Sequence, residues 1–419
     1  MRMTLSRSRA RGQARFHPAW KYVPEVSAAA TAASRPRPGV LSPTVRRARV
    51  ATAGVFAVHG CVTGSLAARI PWIASHVGVG FGGLGVALLM PAVGALLAMP
   101  FSGRLAHRYE LRPFVTVSIA AWCGALALPA LPTALGVLCV VLFAGGAAAG
   151  LADTAMNAEG VLVEKRYGRS VMSSLHGFWS VGVLAGSAIS AISSQAGIDA
   201  RLQFAVEAVA LAAVAVAASR RLLNDPESRE VDAPPRFALP TRPVLLIGLV
   251  GLCAVFGEQA GTDWSALYIR NELGGSATVA ALAVSAFAVT MAVARLAGDR
   301  VIRRIGPVAS VQLSGVCAAV GSITVVLAPD LAAGLAGFAL LGVGVALVVP
   351  IVFATAGRIG PHAGQSIAGV AGVAYASGLA APAVIGGIAA MSSLTASFCL
   401  VAALVAIMAL GAGVLRGGE

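Results

Sequence analysis

Apolar runs of about twenty residues recur along the chain, broken by short clusters of Arg, Lys, Gly and Pro. A helix that crosses a bilayer needs about 20 predominantly apolar residues. On that measure the pattern predicts twelve spans, at 50–69, 81–102, 114–131, 134–158, 171–194, 201–219, 243–268, 277–297, 308–328, 331–352, 365–388 and 393–415. The expected class is therefore an all-α membrane protein.

Composition agrees. The chain is 58% hydrophobic and only 11% charged, too little charge to cover a water-soluble surface. Its 49 glycines fit membrane helices whose backbones approach closely. The Lys/Arg residues decide orientation, because cytoplasmic loops are enriched in them. With the N-terminus inside, 27 of the 31 fall on the cytoplasmic side, Arg69, Arg201 and Arg270 fall outside, and Arg295 lies within span eight. Both termini are thus expected in the cytoplasm of a bacterial cell, with the spans in its plasma (inner) membrane. This bias accounts for the net charge of +14 without a nucleic-acid partner.

Residues 1–48 read as a disordered basic tail, with adhesion to anionic lipid as the alternative. The six cysteines all fall inside predicted spans without a CxxC pair, which suits small buried hydrophobes. There is no Walker loop, no HExxH and no GxSxG in context, so neither an enzyme, a cofactor nor a metal site is expected. Transport would have to be driven by an ion gradient or run downhill.

The polar break at 220–242 divides the spans into halves at 49–219 and 243–419. The halves echo each other. Trp72 and Trp264 are 192 residues apart, and Gly103 and Gly298 are 195 apart. Spans six apart run in the same direction, a parallel repeat with a site expected between the halves at mid-depth. The loop GRLAHRYELR (103–112) resembles the signature G-x-L-a-D-R-x-G-R-K of the major facilitator superfamily, with His107 in place of the Asp and Glu110 in place of the second Gly. A looser copy runs from Gly298-Asp299-Arg300 to Gly306. The resemblance implies a major facilitator fold, twelve transmembrane helices in two six-helix halves, and a cytoplasmic gate. Gly103, His107, Arg108, Arg112, Gly298, Asp299 and Arg300 are its expected members, with His107 making the acid's usual pairing pH-dependent or absent. The stretches 152–186, 258–274 and 295–307 further resemble a bacterial branch related to fucose-permease-type sugar:proton symporters. Asp153 matches the span-four acid of those symporters; the span-one acid is missing, and His59 is the titratable residue there.

The candidate chemistry centres on span four. Gly146, Gly150, Asp153, Asn157, Gly160 and Glu164 follow at alternating steps of four and three, which draws one stripe along a helix. The glycines are expected to clear room beside Asp153, and Asn157 to bond it from one turn away. Ionisable groups inside a membrane usually mark transport or proton relay, so Asp153, His59 and Glu258 are the expected proton-coupling residues. A structural carboxylate held by Asn157, and a neutral histidine on a carbonyl, are the plainer readings. Glu164, nearer the inner surface, reads as a gate or a solvated charge. Span seven offers Glu258, Gln259, Asp263 and Trp264, and the substrate site is expected from Asn157, Gln259, Asp263 and Trp264. His176, Trp179 and Tyr375 join it by analogy. Arg295 is expected to snorkel or to pair with Asp299.

Three functions follow: a proton-coupled transporter of a small, sugar-like solute working as a monomer; a drug:proton antiporter; or a transporter-shaped sensor. The topology is directly checkable. A reporter active only in the cytoplasm, fused after Glu419 or within 225–235, will be active, and one fused after Asp330 will be silent; the reverse pattern defeats the twelve-span arrangement.

Overall fold

A computed structural model describes residues 42–79, 81–223, 240–359 and 363–418. Most of the expected tail and of the central linker lies outside the described residues. Span one begins at Pro43, inside the segment read as tail. Among the described residues the secondary structure is helical, without strands. Ten stretches are long and apolar enough to cross a membrane. One of them, within Ala277–Val326, is interrupted at Gly306, whose backbone (φ 79°, ψ 168°) leaves the helix ahead of Pro307; it makes spans eight and nine. The shorter Leu111–Ala125 is span three, which brings the crossings among the described residues to twelve.

The spans are therefore one (Pro43–Val77), two (Phe81–Ala98, continued through Met99–Phe101 into Ser102–Tyr109), three, four (Leu135–Tyr167), five (Met172–Gln195), six (Ala200–Ser219) and seven (Arg242–Asn271), followed by eight and nine. Ten is Leu331–Val345 with Val348–Ala356, eleven is Ala363–Met391 and twelve is Leu394–Gly411. Span three was expected to run to 131 but ends at Ala125. Pro129 and Pro132 explain this, since each lacks an N–H and biases the residue before it away from helix.

Small residues set the packing. Gly60 and Gly64 of span one lie against the backbone of Trp179 and Val183, while Gly182 and Gly186 of span five lie against Ala57 and Cys61. Four-residue spacing on both partners lets the two backbones touch. Span two meets span four in the same way, Gly146 against Pro91 and Gly150 against Ala95. In the second half span seven packs on eleven, and the stretch of spans eight and nine packs on ten and twelve. All the loop cations from Arg104 to Arg112, Lys165 to Arg169, Arg220 to Arg221, Arg300 to Arg304 and Arg358 lie at ends that the alternating helices bring to one side, the basic face.

Glu110 turns the chain between spans two and three at φ 65°, ψ 153°, a region that glycine adopts and a side chain resists at a cost of about 1–3 kcal/mol. This is the position where the loop signature calls for Gly. Replacing it, Glu110→Gly, relieves that strain against the smaller entropic cost of a glycine, about 0.5–1 kcal/mol. The variant will unfold at a higher temperature in detergent than the parent; an unchanged or lower midpoint counts against strain at this turn.

Candidate functional site

A cavity of about 470 Å³ lies between the halves. On span one its wall runs from His59 to Ile70, and on span two it reaches Leu88, so it extends toward the face opposite the basic one. Span four contributes Asp153, span five His176 and Trp179, span seven Glu258 and Gln259, span eight Arg295, and span eleven Tyr375.

Asp153 is buried. Its Oδ1 accepts from Asn157 Nδ2 at 3.3 Å, and the same amide donates to the Asp153 carbonyl at 2.8 Å. Oδ2 has no hydrogen-bond partner within 3.5 Å among the described residues, and the Tyr375 hydroxyl is the donor that faces the carboxylate from span eleven. Asn157 is fully buried behind the acid rather than on the cavity wall, and its Oδ1 accepts from His176 Nε2 at 3.1 Å. His176 is held between Phe56 and Phe353, with ring centroids 5.3 and 6.0 Å away.

His59 is engaged at both nitrogens. Trp179 Nε1 donates to Nδ1 at 3.1 Å, and Nε2 faces the Ala149 carbonyl at 3.4 Å. An indole N–H can only donate and a carbonyl can only accept. These partners fit the uncharged ring with its proton on Nε2, and they leave no place for a second proton on Nδ1.

Glu258 is the carboxylate that the structure pairs. Arg295 Nη2 donates to its Oε2 at 2.7 Å, Nη1 to Ser180 Oγ at 3.2 Å, and Nε to the Ala346 carbonyl at 3.3 Å. The expectation that Arg295 snorkels or binds Asp299 is corrected: its side chain is 2% exposed and turns inward, because a guanidinium in an apolar interior is stabilised by a carboxylate and carbonyls and cannot reach water. Gln259 shares the wall with Glu258. Asp263 is exposed, Trp264 packs against Gly386, and neither lines the cavity. At about 100° per residue they lie about 140° and 240° around the helix from Glu258.

The two glycines beside Asp153 also differ from expectation. Both border the cavity, but a Cβ on Gly146 would collide with the Pro91 backbone, and one on Gly150 would sit 2.8 Å from the Ala95 Cα. They seat span two against span four.

The expected gate residues divide. Asp299 reaches from span eight to the start of span five, accepting from Ser173 N at 3.1 Å and Ser174 N at 3.2 Å. Gly298 is bare where Ser173 and Leu347 crowd it. In the other loop Gly103 faces Gly364 and Gln365 at the start of span eleven. His107 Nδ1 is buried with no hydrogen-bond partner among the described residues. Arg112 donates to the carbonyls of Ser219 and Arg220 within its own half. Arg108 lies over the Tyr109 ring, and Arg300 is exposed. Glu164, read as a gate or a solvated charge, is buried and not solvated. Its Oε2 accepts from Val171 N at 2.9 Å and Met172 N at 3.1 Å, and its Oε1 accepts from Arg358 of the other half at 3.2 Å. Lys165 donates across the same seam to the Gly357 carbonyl at 2.7 Å.

Glu207 of span six was missed altogether. It is buried, with Oε1 accepting from Ser65 and Oε2 from Gln203 Nε2 at 3.3 Å. Gln203 in turn accepts from Arg69 Nε at 2.8 Å, and Arg69 Nη2 donates to the Ile198 carbonyl at 3.1 Å, so Arg69 is buried against the protein at the outer end of span one. A carboxylate inside a predicted span was the available signal.

Known proteins with a similar sequence or fold can be set beside this geometry. The profile described as Major Facilitator Superfamily matches residues 52–383. An uncharacterized MFS-type transporter of Yersinia pestis is 32% identical over 366 residues, covering 87% of this chain and 94% of the relative. Among solved structures, the E. coli fucose:proton symporter aligns with a TM-score of 0.70 at 14% identity, over 88% of this chain and 98% of its own. The human organic anion transporter MFSD10 aligns at 0.69 and 15% identity, over 88% and 100%. The same helical frame thus serves a sugar symporter and an organic anion transporter, and the side chains of the wall must decide the solute.

The Arg295–Glu258 pair makes a stability prediction. Arg295→Met strands a carboxylate in the wall and costs about 3–5 kcal/mol, whereas Arg295→Met with Glu258→Leu recovers most of that loss. Thermal unfolding of the purified variants measures it; equal loss in single and double variants counts against the pair.

Proposed function

The chain belongs to the Major Facilitator Superfamily, a multi-pass family of transporters and not of enzymes, and on that premise we propose that it is a secondary active transporter in which Asp153 couples solute movement to protons. It works by alternating access in the bacterial inner membrane, as a monomer, with both termini in the cytoplasm. The observation that carries this reading is Asp153 itself: a buried carboxylate on the cavity wall whose Oδ2 has no hydrogen-bond partner among the described residues. An oxygen left open in that way can take up or release a proton while Asn157 keeps its hold on the other. Glu258 is already held by Arg295, and both nitrogens of His59 are occupied, so each ranks behind Asp153.

Alternating access is supported by the seam at the basic face. Glu164–Arg358, Lys165 to Gly357, and Asp299 on span five join the halves there, while the cavity extends the other way. We assign these residues, with Gly103 and Gly298 at their close approaches, to the cytoplasmic gate, and the present conformation to the outward-facing state. His107 supplies no acid, so the gate leans on the second copy of the loop. The likeness in fold to a fucose:proton symporter supports a sugar as the first candidate solute. The largely apolar wall, with the Trp122 and Trp179 rings on it, favours the second reading, an amphipathic solute exchanged for protons.

Proteoliposomes holding a pH-sensitive dye test the coupling. Solutes that shift the internal pH through the parent protein will do so through Asp153→Asn only at the level of empty liposomes, while counterflow of labelled solute persists. Undiminished proton movement in Asp153→Asn makes the acid structural and returns the role to His59 or Glu258.

A further inference from the structure

Most hydrogen-bond donors of the cavity wall are spent on the wall itself. The Trp179 indole donates to His59, the Trp122 indole to the His59 carbonyl, and His59 Nε2 faces the Ala149 carbonyl. Of the five N–H groups an arginine carries, Arg295 commits three, to Ala346, Ser180 and Glu258. On the acceptor side Asp153 Oδ2 stays open, although its residue is only 9% exposed. The Gln259 amide and the Tyr375 hydroxyl, which faces Asp153, remain as donors on the wall, but its indoles and imidazole are spent, and the open acceptor suits a ligand that donates.

Charge points the same way by a separate route. Glu258 and Arg295 cancel each other. The partners of His59 fit its neutral ring. His176 borders the cavity but is held between the Phe56 and Phe353 rings, with Nε2 turned to Asn157, which bonds Asp153. Tyr375, facing from span eleven, brings no positive charge. Among the described residues of the cavity, Asp153 is thus the acid with no cation set against it. An anion here would meet uncompensated repulsion, and a neutral polyol would leave the Asp153 carboxylate without a countercharge. The indole faces of Trp122 and Trp179 favour a cation within reach of their π-systems. The cavity volume of about 470 Å³ lies within the range of about 300–1,000 Å³ usual for small-molecule sites.

Resting on the transport reading above, we propose that the solute is an organic cation, a protonated amine on an apolar body, which binds through its ammonium N–H groups to Asp153 Oδ2. The amine and the coupling proton then compete for one oxygen. When the amine binds, the proton leaves Oδ2 for water on the open side; when a proton returns, the amine is released. One positive charge replaces the other, so the coupled movement is exchange and the buried site never closes over a bare carboxylate.

The purified full-length protein in detergent tests this with three probes of nearly the same shape: phenethylamine, 2-phenylethanol and 3-phenylpropanoate. The amine will raise the unfolding temperature and alter tryptophan fluorescence saturably, and the alcohol and the carboxylate will not. Its apparent Kd will fall by up to about ten-fold per unit rise in pH while Asp153 holds a proton, and binding in weak buffer will release protons. Asp153→Asn will lose the response and Asp153→Glu will keep it. If Asp153→Asn fails to fold, the pH dependence and proton release of the parent protein decide the matter. The proposal falls if the alcohol or the carboxylate binds as well as the amine, if amine binding ignores pH, or if the amine does not bind. A neutral sugar such as D-xylose, accumulated under an imposed pH gradient through the parent but not through Asp153→Asn, would defeat the amine and leave the transport reading standing. Amine binding without any proton-coupled flux in proteoliposomes would do the opposite.

Discussion

Much of the structure hangs on how the start of span five is held. A helix begins with backbone N–H groups that have no partner within the helix, and here the donors from Val171 to Ser174 are met by two carboxylates. Glu164 comes from span four of the same half, and Asp299 comes from span eight of the other. Negative charge at a helix N-terminus is favourable in itself, and the second oxygen of Glu164 is further held by Arg358. One helix start thereby ties the two halves together at the basic face.

The consequences run up the helix. With its first turn anchored to Asp299, span five lies along span eight, where Gly177 gives room to Leu296 and Ser180 meets Arg295. One turn apart on the same helix, His176 reaches Asn157 and Trp179 reaches His59. The polar contacts that leave Asp153 Oδ2 open are therefore set by the same anchor that closes the basic face. A movement that frees Asp299 from span five would loosen the roof of the cavity along with its floor, which is the kind of linkage that alternating access requires.

The two copies of the loop are not equivalent, and the substitutions say why. Asp299 keeps a carboxylate where it can cap a helix; His107, which stands at the Asp position of the first loop's signature, cannot accept in the same way and has a buried nitrogen without a partner among the described residues. There the approach of Gly103 to the start of span eleven is one of backbone against backbone. Glu110 holds a strained turn where its counterpart Gly306 turns freely. The first seam is thus weaker in charge and costlier in conformation than the second.

The twelve crossings and the parallel repeat were legible because hydropathy and loop signatures are local properties: each span states its own apolar length, and each basic loop is read without knowing its neighbours. Asp153 was legible for a related reason, since an acid inside an apolar run is costly wherever the helix packs. Partners were not legible. Glu258 and Arg295 are 37 residues apart, and which carboxylate the arginine meets depends on how spans seven and eight are rotated and crossed. The tautomer of His59 depends on an indole 120 residues away. The glycines beside Asp153 looked like open space from the stripe alone, and only the approach of span two turned them into a contact. Asp263 and Trp264 share a segment with Glu258 but not a face. Sequence by itself determined which segments enter the membrane and which of them carry charge; the tertiary structure alone decided which charges are neutralised and which acid of the cavity is left open, because pairing depends on helix rotation and crossing, which local hydropathy does not encode.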